Sequence, residues 1–290
     1  MISIDFKQRI IEAIRKYRAN YASAAKMAVA LGISSAQFSR ILNNDIENVL
    51  SDANWISIAR KLNVQLHEEA EWKVAKTQVF SHIYAQLAAC KKGALSGLLC
   101  DMADLGKTFT ARYFASENKF AVYIDCSQVK SKQKLIRQIA RELGLGNTGR
   151  YADVYADLVF YLRSIPNPLI ILDEAGDLDY PAFLELKALW NATEGCCGWY
   201  MMGADGLKAK IESNLGRKKV GYAEIFSRFG SRYQKITPDG REALEEFTNT
   251  QIVMIAKANS TDVDLKKLIA KAGGSLRRVR TELSKINRVS

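Results

Sequence analysis

The 290-residue sequence is poor in the residues that build covalent and metal-based scaffolds. Its five cysteines (Cys90, Cys100, Cys126, Cys196 and Cys197) are odd in number and show no C-x-x-C spacing, which argues against a disulfide framework. They are expected as reduced thiols packed like small hydrophobes. Only two histidines are present, His67 and His82, too few to make a zinc site plausible beside such cysteines. No run of about 18 apolar residues occurs, so no membrane-spanning helix is expected. The opening MISIDFKQRIIEAIRKYRAN scatters charges among its apolar positions and lacks the core of a signal peptide. A cytoplasmic protein is the expectation. Internal repeats and low-complexity tracts are also missing, and residues 1–66 contain no proline.

The composition that remains is that of a folded protein. Hydrophobic residues make up 48% and charged residues 25%, enough apolar surface to offset the entropy of ordering the chain. Forty-two Lys and Arg against 31 Asp and Glu leave a formal net charge of +11. Such an excess points to a polyanionic partner, either nucleic acid or an anionic membrane surface.

The length suits two or three domains, and the pattern divides the chain into three. Residues 1–66 read as a helical head, with Ile4, Phe6, Ile10, Ile11 and Ile14 at helical spacing. Residues 67–75, HEEAEWKVA, read as a linker. From 76 to 236, short apolar runs (Ser96–Cys100, Phe120–Asp125, Leu169–Asp173, Trp199–Gly203 and a further strand at Arg232–Ile236) alternate with helix-length segments. That alternation predicts an α/β core with a buried parallel sheet. Residues 237–290 turn helical again, with helices expected over Arg241–Ala258, Asp262–Ala272 and Ser275–Asn287.

Two motifs carry chemistry. Gly106-Lys107-Thr108 closes a stretch, Asp101 to Thr108, set between an apolar run and a helix, as in the phosphate loop G-x-x-x-x-G-K-[ST]. There backbone N–H groups hold phosphates, the lysine reaches the terminal phosphates and the hydroxyl ligates Mg²⁺. The nucleotide-binding set is Asp104, Leu105, Gly106, Lys107, Thr108 and Phe109. Asp101 stands where the first glycine belongs. With Asp104 it puts two carboxylates beside a polyphosphate, which weakens binding unless they point away or touch the metal. The second motif is Pro168–Glu174, an apolar strand ending in two acids. Asp173 would hold Mg²⁺ with Thr108, and Glu174 would orient and deprotonate the attacking water. Each motif alone also suits an ordinary strand end; in this order on two strands they predict ATP binding.

Further along, Asp205 follows the Trp199–Gly203 strand, where a polar residue can sense the terminal phosphate. Arg228 precedes the expected strand at Arg232–Ile236 and can serve in trans as an arginine finger, a role for which Arg232 competes. Arg277, in Gly273-Gly274-Ser275-Leu276-Arg277, can reach the phosphates from the helical tail.

This series resembles the AAA+ ATPases, and most of all the transposition ATPases of the phage Mu B protein, IstB and TnsC type. The resemblance covers roughly residues 76–290. It implies ATP-dependent homo-oligomerisation on duplex DNA as a ring or helical filament, with Arg228 completing a neighbour's site, and delivery of target DNA to a transposase. It also makes hydrolysis weak and stimulated by DNA or transposase.

The head supports a DNA-binding reading. Ala24–Leu31, Gly32 and Ser34/Ser35–Asn43 form a helix-turn-helix pattern, with Ala28, Leu31, Phe38, Ile41 and Leu42 inward. Gln37, Ser39, Arg40, Asn43 and Asn44 are left outward; of these Gln37 and Arg40 suit base edges or phosphate. This resembles the Cro/C1-type repressor fold, although a small bundle used for protein contacts has the same pattern. In the core, Lys130, Lys132 and Arg150 are expected to contact phosphates without reading sequence. Arg277, Arg278, Arg280, Lys285 and Arg288 add a basic tail. Two other readings share the core: a helicase loader, and a DNA-binding regulator whose phosphate loop no longer turns over ATP.

Overall fold

A computed structural model of the chain describes residues 2–62, 64, 72–261 and 263–289, the last three by their backbone alone. Residues 65–71, which hold most of the expected linker, and residue 262 lie outside the described residues, as does the side chain of Arg288.

The head is four helices: α1 (Ile4–Tyr17), α2 (Ala24–Leu31), α3 (Ser35–Leu42) and α4 (Asp52–Lys61). Each begins at a serine whose hydroxyl accepts from a backbone N–H of the first turn: Ser3, Ser23, Ser34 and Ser51. They enclose their own core of Phe6, Ile10, Ile14, Met27, Phe38, Ile41, Trp55 and Ile58. Between α2 and α3 the chain reverses at Gly32, whose φ of 77° is left-handed and costs a glycine nothing.

The core runs α5 (Gln78–Gly93), β1 (Ser96–Cys100), α6 (Lys107–Glu117), β2 (Ala121–Asp125), α7 (Lys132–Glu142), α8 (Tyr151–Ser164), β3 (Leu169–Asp173), α9 (Tyr180–Ala192), β4 (Gly198–Gly203), α10 (Asp205–Gly216) and α11 (Tyr222–Arg228). The strands form one all-parallel sheet in the order β1-β4-β3-β2. Side chains alternate across it. Leu98, Val122, Ile170, Leu172, Trp199 and Met201 face α7 to α11, whereas Leu99, Ile171, Tyr200 and Met202 face α5 and α6. The expected α/β P-loop architecture is therefore present.

The strand expected at Arg232–Ile236 is reduced to a single parallel bridge between Gln234 and Leu99 on the free edge of β1. Left-handed backbone at Gly230 and Ser231 delays its start. Its end is diverted because Ile236 and Thr237 donate their N–H groups to a side chain, Asp101, instead of to a ladder.

The tail comprises α12 (Arg241–Asn259), α13 (Leu265–Ala272) and α14 (Leu276–Val289), packed around Ile252, Ala256, Leu268, Val279 and Leu283. α13 starts at Leu265, capped by Asp264. The second half of the expected linker lies on this tail. Lys73 N donates to Asn259 Oδ1 (2.8 Å), Asn259 Nδ2 returns a bond to Lys73 O (3.0 Å), and Arg280 lies over the Trp72 ring.

Head and core touch directly. Asn20 Nδ2 donates to the carbonyls of Ala115 and Ser116, and Lys26 Nζ sits 4.6 Å from the centre of the Tyr161 ring. Gly144, just past α7, has φ 71°, and a Cβ there would lie 2.1 Å from Lys26 O.

Candidate nucleotide site and basic surface

The β1–α6 loop is built as a phosphate cradle. Gly106 takes φ 88° and caps α6, so the first N–H groups of that helix point out of its positive end. Lys107 is buried, and its ammonium donates to Asp101 O (2.8 Å) and Met102 O (2.6 Å). Burial lowers its pKa, while the carboxylates of Asp101, Asp173, Glu174 and Asp205 pull it back up. To meet a phosphate, the ammonium exchanges a loop carbonyl for a phosphate oxygen.

The second motif lies against the first. Thr108 Oγ1 donates to Asp173 Oδ2 at 2.6 Å, and Asp173 is almost wholly buried at the end of β3. Tyr123 Oη donates to the same oxygen at 2.8 Å and carries the Arg112 guanidinium over its ring. Sequence reading passed over Tyr123; its signal was a tyrosine within an otherwise apolar buried run. Glu174 follows in left-handed backbone (φ 49°), its N–H on Asp173 Oδ1 and its side chain exposed at the tip. Partial burial and the neighbouring Asp173 push its carboxyl above the usual range. A hydroxyl and a carboxylate side by side are hard oxygen donors that fit Mg²⁺, which takes few protein ligands and fills its shell with phosphate and water. No cluster of three His, Cys, Asp or Glu suited to a metal occurs among the described residues.

The two loop acids are each engaged by several hydrogen-bond donors. Asp101 Oδ2 accepts from Ile236 N (2.7 Å) and Thr237 N (2.9 Å), and Oδ1 from Met102 N (2.8 Å) and Thr237 Oγ1 (2.6 Å). Asp104 accepts from Ser275 Oγ and from Arg277 N (3.1 Å). The crowding of carboxylates expected from the sequence is thus relieved by donors from the core–tail junction and from the tail.

Residues 90–211 match the family described as AAA domain. This stretch of the α/β core is thus similar to AAA domains. Over 265 residues the chain is also 24% identical to the Mu-like prophage FluMu DNA transposition protein B of Haemophilus influenzae, with 87% of each protein covered. Both similarities uphold the resemblance read from the motifs, and the match to AAA domains indicates an NTPase of ATPase type.

The other expected residues lie at varied distance from this cradle. Leu105 of the β1–α6 loop is buried, and Phe109 is exposed on α6, stacked 6.5 Å from Tyr113. Asp205 opens α10 with an exposed side chain. Arg228 is held within its own chain by Asn191 Oδ1 (2.6 Å), Glu224 O (2.9 Å) and the Trp190 ring.

Lys130, Lys132 and Arg150 are all exposed at the carboxyl end of the sheet. Lys132 lies over the Tyr151 ring, and Arg137 binds the carbonyls of Asn147 and Gly149, so the loop bearing Arg150 is tied to α7. Two of the three are ion-paired, Lys130 with Asp177 (3.0 Å) and Arg150 with Asp153 (2.9 Å).

In the head, Gln37 is committed. Its Oε1 completes a capping box with Ser34, and its Nε2 donates to Val49 O (3.1 Å). Arg40 bonds Asp45 (2.7 Å) and Glu47 O (3.2 Å), while Ser39 on α3 and Asn43 at its C-terminal cap are exposed. Among the described residues no helix is long and apolar enough to cross a membrane.

Proposed function

We propose that this protein is an ATP-dependent DNA-binding protein that assembles as a homo-oligomer on duplex target DNA and brings a transposase to it. The observation that carries the ATPase part is the Thr108–Asp173 bond, which sets the two acidic-strand and phosphate-loop motifs face to face. Similarity to a DNA transposition protein along most of the chain supports the remainder.

In this reading Lys107 and the α6 N-terminus hold the triphosphate, and Thr108 and Asp173 hold Mg²⁺. That ion neutralises charge developing on the transferred phosphoryl group. Glu174 accepts the proton of the attacking water at its carboxylate, for which its raised pKa suits it. Arg228 leaves its bonds to Asn191 and Glu224 to complete the site of an adjacent subunit, and Arg277 approaches from the tail. Asp205 senses the terminal phosphate.

The duplex is gripped by Lys130, Lys132 and Arg150 through its backbone, which gives affinity without base preference. The head, read as a helix-turn-helix domain, adds contacts from α3. With Gln37 spent on its own helix cap and Arg40 turned to Asp45, Ser39 and Asn43 are the side chains left for the groove.

The test is DNA-stimulated ATP hydrolysis together with electron microscopy of protein on duplex DNA. Nucleotide-dependent filaments or rings, abolished in Lys107→Ala, are the expected result. DNA binding indifferent to both ATP and Lys107→Ala overturns the ATP-dependent reading in favour of a regulator without turnover.

A further inference from the structure

Asp104 makes contacts that holding a phosphate does not require. Its carboxylate accepts from Ser275 Oγ and, at 3.1 Å, from Arg277 N, and Arg277 Nε lies 3.6 Å from the same oxygen. Ser275 immediately precedes α14, so the carboxylate sits at the positive end of a 14-residue helix, beside a guanidinium. The lid helix also overlies the loop: Leu276 Cδ1 is 3.9 Å from where a Cβ on Gly106 would stand. Asp104 holds left-handed backbone (φ 63°) three residues before Lys107. The tail is therefore fastened to the one segment on which a triphosphate would lie.

We propose that Asp104 is an internal anionic latch. It holds α14 and Arg277 down on the phosphate loop, and a nucleoside triphosphate bound at that loop releases it. The release rests on the nucleotide reading above. A polyphosphate at the loop places several negative charges near Asp104 and offers Arg277 a more highly charged partner. Like charge and competition for the guanidinium act in the same direction, so each nucleotide bound works against the latch. Nucleotide affinity is reduced by that opposition, and the position of the tail reports occupancy. Asp101 makes a different tie, since all its donors come from its own loop and the core–tail junction, and it has no contact with α14 among those described.

The test is Asp104→Asn in the full chain, which keeps an acceptor but removes the charge. Amide hydrogen exchange at Arg277 in nucleotide-free protein is expected to quicken by about fivefold, the equivalent of losing one modest charge-assisted contact. Affinity for a fluorescent ATP analogue with Mg²⁺ should rise by about the same factor. Adding the analogue should quicken exchange at Arg277 in wild type and change it little in the variant. Ser275→Ala, which breaks the latch from the tail side, also removes the hydroxyl that accepts from Arg278 N, so its quickened exchange supports the latch only together with that of Asp104→Asn. Unaltered exchange at Arg277 in both variants overturns the latch. Slow exchange in wild type with analogue bound, or lower analogue affinity in Asp104→Asn, overturns release by nucleotide. If the wild type binds no analogue, the ATPase reading and the release both fall. The comparison of wild type with Asp104→Asn in free protein still decides whether the latch exists.

Discussion

Asp101 accepts four hydrogen bonds from a buried position, so replacing it with the glycine that the phosphate-loop pattern asks for should not repair the protein. Asp101→Gly leaves Ile236 N, Thr237 N and the Thr237 hydroxyl without their acceptor. The expected cost is about 3 kcal/mol, seen as a lower denaturation midpoint. ATP affinity should fall rather than rise, because the loop loses its anchor. From the sequence Asp101 was visible only as a departure from a pattern; its partners lie 135 and 136 residues away, beyond the reach of spacing. The place of Glu174 was legible, as an exposed acid after the buried strand that ends in Asp173. Glu174→Gln should abolish hydrolysis while leaving nucleotide binding within about twofold. Its raised pKa sets the direction of two pH effects. The hydrolysis rate should drop, as pH falls, at a pH above the usual glutamate range. Between the ordinary and the raised value the folded protein binds more protons than the unfolded one. Glu174 therefore contributes stability at low pH that is lost as pH rises through the raised pKa. The neutral Gln variant should accordingly be no less stable than wild type at pH 7, read by thermal melting.

The four parallel strands were legible because each is a short apolar run with a helix-length segment after it, and burial on both faces demands that run. The expected fifth strand had the same look, but two of its N–H groups bind the Asp101 carboxylate, and only the single bridge at Gln234 remains. For α3, Ser34 and Gln37 cap the helix reciprocally. Ser34→Ala should cost the head about 1 kcal/mol in chemical denaturation. Side-chain commitments within such a helix cannot be read from an outward-facing position, and so Gln37 was taken for a groove contact. The basic loops raise a similar point. Lys130 and Arg150 already have carboxylate partners, exposed pairs worth little and easily given up. The triple change of Lys130, Lys132 and Arg150 to Ala should lower the slope of log affinity against log salt by up to about 3. An unchanged slope would mean that the duplex lies elsewhere.

Across the whole molecule the +11 charge is spread over head, core loops and tail, which suits a body wrapped around or along a polyanion better than one with a single basic arm. The head's docking on the core sets how those charges are arranged. Gly144 permits it, because any Cβ there would strike Lys26 O. Gly144→Ala should therefore part head from core, with faster proteolysis between them and a larger radius in small-angle scattering, while both hydrophobic cores stay intact. The docking could not be foreseen, since nothing in the spacing of Gly144 and Lys26 marks them as neighbours.

Helix α7 joins these surfaces end to end. One end begins beside Lys130 and Lys132; the other finishes at Leu143 and Gly144, against α2 of the head. Its 11 residues make a rod about 16 Å long, seated on the sheet by Leu135, Ile136 and Ile139. A rod held at both ends and packed along its length is a strut that fixes the spacing between the two surfaces. Under the proposed grip on DNA, a duplex held by the lysines at one end of α7 would lie one helix length from the face on which the head is docked.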